Sequence, residues 1–223
     1  MINKKRNNRR FLKKESILFI MLLSFPFTLW AQLCVTEAKP GDIIFQEYDC
    51  GDLCRAIAGV TQSYHSRNYT HCGIVISQDN SLWVLEAVSP VVKLTPIDSF
   101  LSRTASHSGN TLARVKEQYS ATKNYALLHY PDFIGKSYDD CYTLGDDSYY
   151  CSELIYELFK NDDGSPLFEL KPMTFISPKT NKIIPEWVSY FSKLNCAIPE
   201  GEPGINPGGI SLSDKVVVLG DFK

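Results

Sequence analysis

The chain has 223 residues, 44% of them hydrophobic, enough for one well-buried core and little besides. Its 23 basic and 25 acidic residues nearly cancel, but seven of the basic ones and one acidic one lie in the first 31 residues. The rest carries 16 against 24, a formal net charge of −8, which argues against nucleic acid and anionic lipid as partners.

That first segment reads as an address rather than as structure. Lys4, Lys5, Arg6, Arg9, Arg10, Lys13 and Lys14 form a basic run, and Ile17 to Trp30 is an apolar stretch of 14 residues, short for a membrane span. Small Ala31 follows. The pattern predicts a secretory signal peptide over residues 1–31, cut near Ala31-Gln32, leaving residues 32–223 as one domain exported to the periplasm or cell surface. Leu29 is bulky at the upstream cleavage position, so an uncleaved anchor, and with it membrane contact, is the alternative. Leu33 argues against lipid attachment at Cys34.

Residues 32–41 form a lead-in ending at Pro40-Gly41, and Asp42 to Gln46 read as a buried strand. Asp52 to Thr61 has helical periodicity, with Asp52 as candidate N-cap and Leu53, Ile57 and Val60 inward. Gln62 to Tyr69 is a polar loop. Thr70 to Ile76 starts polar and turns apolar, a strand returned by Leu82 to Val88 after a turn at Gln78 to Ser81. Val91 to Leu94 continues the meander, Pro96 to Ser102 is a short helical turn, and Leu112 to Val115 is a further strand. Ala121 to Tyr130 is helical until Pro131 breaks it, and residues 132–149 are loop. A second amphipathic helix spans Ile184 to Leu194, opened by Pro185. Glu200 to Gly209 is a Gly- and Pro-rich loop, and Lys215 to Leu219 a last strand. Helices with a mostly antiparallel meander give an α+β class.

The chemistry centres on Cys151. Leu154, Ile155, Leu158 and Phe159 form the apolar stripe of a helix beginning at that residue, ended by Asn161 to Gly164, with Glu153 and Glu157 on the wet side. A thiol in a first helical turn meets free backbone N–H groups and the positive end of the macrodipole, which favour thiolate. A buried structural cysteine or a disulfide partner is the plainer reading of that residue alone. A thiol nucleophile needs a base and a group to orient it. Of the four histidines, His65, His107 and His129 fall in loops or at a helix end and read as surface residues, whereas His71 opens an apolar strand. Glu86 alternates onto the apolar face of Leu82, Val84 and Val88, where a carboxylate must have a partner. A hairpin about residues 78–81 sets His71 opposite Glu86 to Val88, where the carboxylate would hold the imidazole's tautomer. An ion pair from Glu86 to some Lys or Arg is the competing reading.

Seven cysteines (Cys34, Cys50, Cys54, Cys72, Cys141, Cys151 and Cys196) leave at least one unpaired within a monomer. Cys50 and Cys54 beside His71-Cys72 also allow a zinc reading, but the spacings match no metal knuckle. No metal or cofactor is expected.

Gly41-Asp42-Ile43-Ile44-Phe45, Thr61-Gln62-Ser63, His71-Cys72-Gly73-Ile74-Val75, Leu85-Glu86-Ala87, Tyr138-Asp139 and Tyr150-Cys151-Ser152-Glu153-Leu154, in this order, resemble the motif series of the permuted papain-like amidases, the YiiX/YaeF-like branch of the NlpC-type superfamily. The likeness spans about residues 40–160, with a looser echo in Pro203 to Pro207. It implies a circularly permuted papain-like fold with a small antiparallel sheet packed on helices. It also implies Cys151 as nucleophile, His71 as base, Glu86 as orienting acid, the Cys151 backbone N–H as oxyanion donor, and a peptide or amide substrate. The resemblance further leaves open a thiol-dependent lipid acyltransferase or esterase, or a peptide-binding protein that has lost turnover. Cys72, beside the proposed base, and Cys141, ten residues before the nucleophile, depart from the pattern and are potential disulfide partners of Cys151.

Overall fold

The computed structural model describes residues 32–104 and 109–223, so the expected signal segment and His107 lie outside the described residues. In chain order the elements are β1 (Gln32–Leu33), β2 (Ile43–Gln46), α1 (Asp52–Val60), β3 (His71–Gln78), β4 (Ser81–Val88), β5 (Val91–Pro96), α2 (Ile97–Leu101), β6 (Asn110–Val115) and α3 (Ser120–His129). The second half adds β7 (Ser137–Tyr138), β8 (Ser148–Tyr149), α4 (Cys151–Leu158), β9 (Lys171–Pro172), α5 (Pro185–Leu194), β10 (Pro203–Gly204), α6 (Pro207–Ser211) and β11 (Val216–Phe222).

The described strands form a nine-stranded sheet, ordered β1-β11-β6-β2-β3-β4-β5-β7-β8, and a separate β9–β10 pair. Its centre is the β3–β4 hairpin. Asp79 and Asn80 both take the left-handed conformation, at φ 51° and 58°, as a tight two-residue turn between right-twisted strands requires. That turn fixes the register, pairing Gln78 with Ser81 and Ile74 with Leu85.

Alternation along the strands gives the sheet two apolar faces. One face presents Phe45, Cys72, Ile74, Leu85 and Ala113 to α4, whose Leu154, Ile155 and Leu158 are buried against them together with Ala126 of α3. The other presents Ile44, Val75, Val84 and Leu112 to Ile97, Phe100 and Leu101 of α2. A third cluster joins Ala56 of α1 to Trp187 and Phe191 of α5 through Phe175. This is the α+β architecture expected, with the permuted order of histidine strand before cysteine helix. Among the described residues no helix is long and apolar enough to cross a membrane.

The structure corrects several local expectations. Gly51, not Asp52, caps α1. The Gly- and Pro-rich tail is more ordered than a loop: Asn206 accepts from the Gly209 N–H at 2.7 Å and starts α6, with Pro207 at its first position. β11 runs three residues past Leu219, to Phe222, through a bulge between Val218 and Gly220.

Two disulfides form, Cys50–Cys54 and Cys141–Cys196, leaving Cys34, Cys72 and Cys151 as free thiols. The Cys141–Cys196 bridge spans 55 residues and ties the loop before α4 to the end of α5. Replacing both residues by alanine should lower unfolding free energy by about 2–4 kcal/mol, the usual effect of opening a long covalent loop. Urea denaturation checks this; a midpoint equal to that of the oxidised wild type would show that the bridge constrains nothing.

Candidate active site

Gly73 decides where Glu86 can lie. The hairpin register, continued one residue past Ile74–Leu85, sets Gly73 beside Glu86. A Cβ on Gly73 would run into the Val84 side chain and come within 2.8 Å of the Leu85 carbonyl and 3.4 Å of the Glu86 Cβ. With that space empty, the Glu86 side chain lies across the strand towards His71, two residues along on the same face. His71 Nε2 and Glu86 Oε2 are 2.6 Å apart, and both residues are buried. The imidazole stacks on Phe100 of α2 at 5.7 Å between ring centres, which fixes its plane.

Glu86 is 0% exposed, and its partners explain how it remains charged. Oε1 accepts from the Thr95 hydroxyl at 2.6 Å, and Oε2 accepts from Arg103 at 2.7 Å as well as facing His71. Burial alone would raise the carboxyl, but hydrogen bonding and charge from His71 and Arg103 outweigh it and hold the group down at about 2. Both sequence readings of Glu86, a histidine partner and an arginine ion pair, are realised on one oxygen. Nothing local in the sequence marks Arg103 or Thr95 as partners of Glu86. The requirement that a buried carboxylate be paired was the signal that pointed towards a cation.

Cys151 approaches from α4. It is the first helical residue, after Tyr150 as N-cap, so its N–H is among those without an intrahelical acceptor. The thiol sits against Cys72 on the α4 face of the sheet and against His71 at the strand's end. Hydrogen bonding from Cys72 does most to hold the Cys151 thiol well below the ordinary range; burial opposes this, and the hydrogen bond and charge of His71 add to the lowering. His71 feels the converse: burial disfavours its charged form, but Cys151 and Glu86 prevail and raise it to about 9. Since Nε2 is turned to Glu86, Nδ1 is the nitrogen left for the thiol. The arrangement favours an imidazolium–thiolate pair.

The two anticipated competitors for Cys151 part company. Cys141 is bonded to Cys196 and is out of play, whereas Cys72 is a free, buried thiol in contact with Cys151. Glu153 also departs from expectation. It is 1% exposed rather than on the wet side, because its Oε2 turns back to accept from the Tyr150 N–H at 3.3 Å beneath the loop around Asp139 and Gly145. Burial, with the nearby Asp139 charge, raises that carboxyl to about 8. His65 and His129 lie away from this site, His65 stacked on Tyr64 and His129 tilted against Tyr125.

A cavity of about 290 Å³ opens onto Cys151. Its walls include Ile57 and Val60 of α1, Tyr138 and Tyr142 of the preceding loop, and Trp187 of α5. The 203–209 segment closes one side, clamped to the start of α4 where Ser152 Oγ donates to the Ile205 carbonyl at 2.9 Å and the Ile205 N–H donates to Tyr150 Oη at 3.2 Å. Residues 46–69 and 132–149 are two of the loop stretches the sequence points to as pocket walls. The third, 100–110, contributes no wall residue among those described, and the walls from α5 and the 203–209 segment have no local signal.

The Cys50–Cys54 bridge removes the two sulfurs on which a zinc reading would rest, and among the described residues no group of three or more His, Cys, Asp or Glu is placed to hold an ion.

A family model described as "permuted papain-like amidase enzyme, YaeF/YiiX, C92 family" matches residues 37–215. The chain belongs to this family. Over 179 residues it is 27% identical to the uncharacterised protein YiiX of Escherichia coli K12, covering 78% of this chain and 82% of that one. A crystal structure titled as metalloprotein YiiX from Escherichia coli O157:H7 superposes with a TM-score of 0.67 at 24% identity, over 82% of this chain and 97% of the other. At that identity the superposition speaks for the fold alone. The papain-like C92 family carries the coarser functional statement, a cysteine-type peptidase or amidase.

Replacing Glu86 by glutamine should lower the His71 pKa, because the carboxylate that stabilises imidazolium is gone. The His71 midpoint, raised to about 9 with Glu86 in place, should move down by about 1–3 units in a long-range ¹H–¹⁵N NMR titration of the ring. A midpoint left in place would show that Glu86 does not set the charge of His71.

Proposed function

We propose that the protein is an exported cysteine amidase or peptidase, with residues 32–223 as its mature domain and Cys151, His71 and Glu86 as its triad. The observation that carries this reading is the juxtaposition at the cavity end: a thiol at a helix N-terminus, held low by its neighbours, beside an imidazole oriented at 2.6 Å by a buried carboxylate.

The chemistry follows from those groups. The Cys151 thiolate attacks the amide carbonyl carbon, and a C–S bond forms while the carbonyl oxygen becomes an oxyanion facing the free N–H of Cys151. His71 imidazolium gives its proton to the amine nitrogen as the C–N bond breaks, leaving a thioester. The neutral imidazole then takes a proton from water, hydroxide displaces the thiolate, and His71 is imidazolium again. Glu86 stays ionised throughout and holds the ring. Small or cell-wall-derived peptides are the proposed substrates, on the strength of export.

A second reading is favoured by the cavity. Ile57, Val60, Met173, Phe175, Trp187 and Leu212 make its wall largely apolar, which suits the acyl chain of a lipid in a thiol-dependent acyltransferase or esterase. Incubation with a peptide amide panel and with phospholipid vesicles, followed by intact-mass analysis, separates the two by the acyl adduct found on Cys151. Turnover should fall by at least about 10³-fold in Cys151→Ala, with no adduct. Retained amide hydrolysis in that variant would overturn the triad.

A further inference from the structure

The third member of the triad is shared. Glu86 Oε2 accepts from Arg103 at 2.7 Å while lying 2.6 Å from His71 Nε2, so one carboxylate oxygen serves two cations. Arg103 is held there on its own account. Its guanidinium lies over the Phe100 ring at 4.6 Å and over the Tyr48 ring at 5.6 Å, and Phe100 is the ring on which His71 stacks. Arginine and imidazole are thus held by one aromatic support, and the carboxylate lies between them. Arg103 has no reason of surface solubility to be placed so, with 22% of its side chain exposed.

We propose that Arg103 is a positioning residue that limits how tightly Glu86 binds the proton on His71. This rests on the reading of Cys151, His71 and Glu86 as a triad. Glu86 alone, buried and undivided, would stabilise imidazolium strongly, and a proton held that firmly is a poor one to give to a leaving amine. By taking part of the carboxylate's charge and placing a fixed cation nearby, Arg103 lowers the proton affinity of the ring. It also keeps Glu86 ionised when His71 becomes neutral in the second half of the cycle, when the carboxylate would otherwise be buried without a cation.

The other groups facing His71 do not do this. Cys151 on α4 is an anion when the ring is charged, and Cys72 on the same strand stays protonated, raised well above the ordinary thiol range first by burial and then by Cys151. Tyr48 lies 6.0 Å away ring to ring, and Thr95 on β5 offers Glu86 only a hydroxyl. Lys93, opposite Glu86 across β4 and β5, is solvent-exposed. Tyr138 faces Cys151 from the cavity side and is pushed up by burial, so it too is neutral.

The experiment compares the wild type with Arg103→Gln and Arg103→Lys, each checked by thermal melting. The His71 ring is titrated by long-range ¹H–¹⁵N NMR and Cys151 by iodoacetamide. Removing the cation should raise the His71 midpoint by about one unit, tenfold in proton concentration. Arg103→Lys, which keeps the charge and loses the fork, should lie between that variant and the wild type. Unchanged or lowered midpoints in folded Arg103→Gln would overturn the proposal. So would an unfolded Arg103→Gln together with a wild-type midpoint in Arg103→Lys, since Arg103 would then serve folding alone. Should Cys151 of the wild type titrate as an ordinary thiol, the triad reading falls, while the NMR midpoint of His71 still reports on Arg103.

Discussion

A fully buried carboxylate constrains everything around it, because an unpaired one costs several kcal/mol. Glu86 meets that requirement with three donors drawn from three elements: His71 at the start of β3, Thr95 at the end of β5 and Arg103 just after α2. Each donor then becomes a constraint on its own element. β3 must lie so that His71 reaches across the gap left at Gly73, β5 must hold its register with β4, and α2 must dock Phe100 beneath the ring. The alternation that carries His71 and Glu86 to the α2 face sends Cys72 to the other, where α4 packs. The site therefore straddles the end of a strand, with the carboxylate on one side of the sheet and the thiol on the other.

The far side of the site depends on different forces. The start of α4 is held by polar contacts that reach forward in the chain: Ser152 to the Ile205 carbonyl, Ile205 N–H to Tyr150, and Glu153 folded back on Tyr150 N–H. These contacts bring the 203–209 segment against the helix terminus and make one wall of the cavity. Gly208 lets the same segment also lie against the loop after α1, since a Cβ there would strike the backbone carbonyl of Gln62. Tyr142 packs edge-on against Tyr150 and Trp187, so the loop before α4 and helix α5 supply the opposite wall. Aromatic packing and the Cys141–Cys196 bridge act on the same loop.

Legibility in the sequence followed the range of the interaction. The β3–β4 hairpin could be read because period-two alternation, a short polar turn and one misplaced carboxylate all sit within about twenty residues. His71 and Glu86 were legible for that reason, and Cys151 because a helix start is a local pattern. Glu153 was misread because helical periodicity describes one helix and knows nothing of the loop that later covers it. Arg103 follows a short helix with no period to interpret, and it is meaningful only once α2 is docked on the sheet. The short helix at Pro207 was hidden by its glycines, whose local preference is for loop, although Asn206-Pro207 is a usable helix start. The cavity walls contributed by residues 57–70 and 138–142 fall in or beside loops that polarity and turn residues mark, whereas those from 171–175, Trp187 and 204–212 are brought in only by tertiary packing.

Two thiols in contact raise the question of which one ionises, and burial answers it. Cys72 lies within the sheet, fully enclosed, with no helix N-terminus directed at it, and both burial and the nearby anion push its proton loss out of reach. Cys151 borders the cavity, begins a helix and faces His71, so the positive end of the dipole and the imidazolium act on it alone. Once Cys151 is an anion, Cys72 has only one stable role beside it, as a neutral S–H donating to the thiolate. Ionising the second thiol would set two like charges in contact in a low-dielectric site. The pair is therefore asymmetric by construction, with one reactive sulfur and one that helps to hold it in that state.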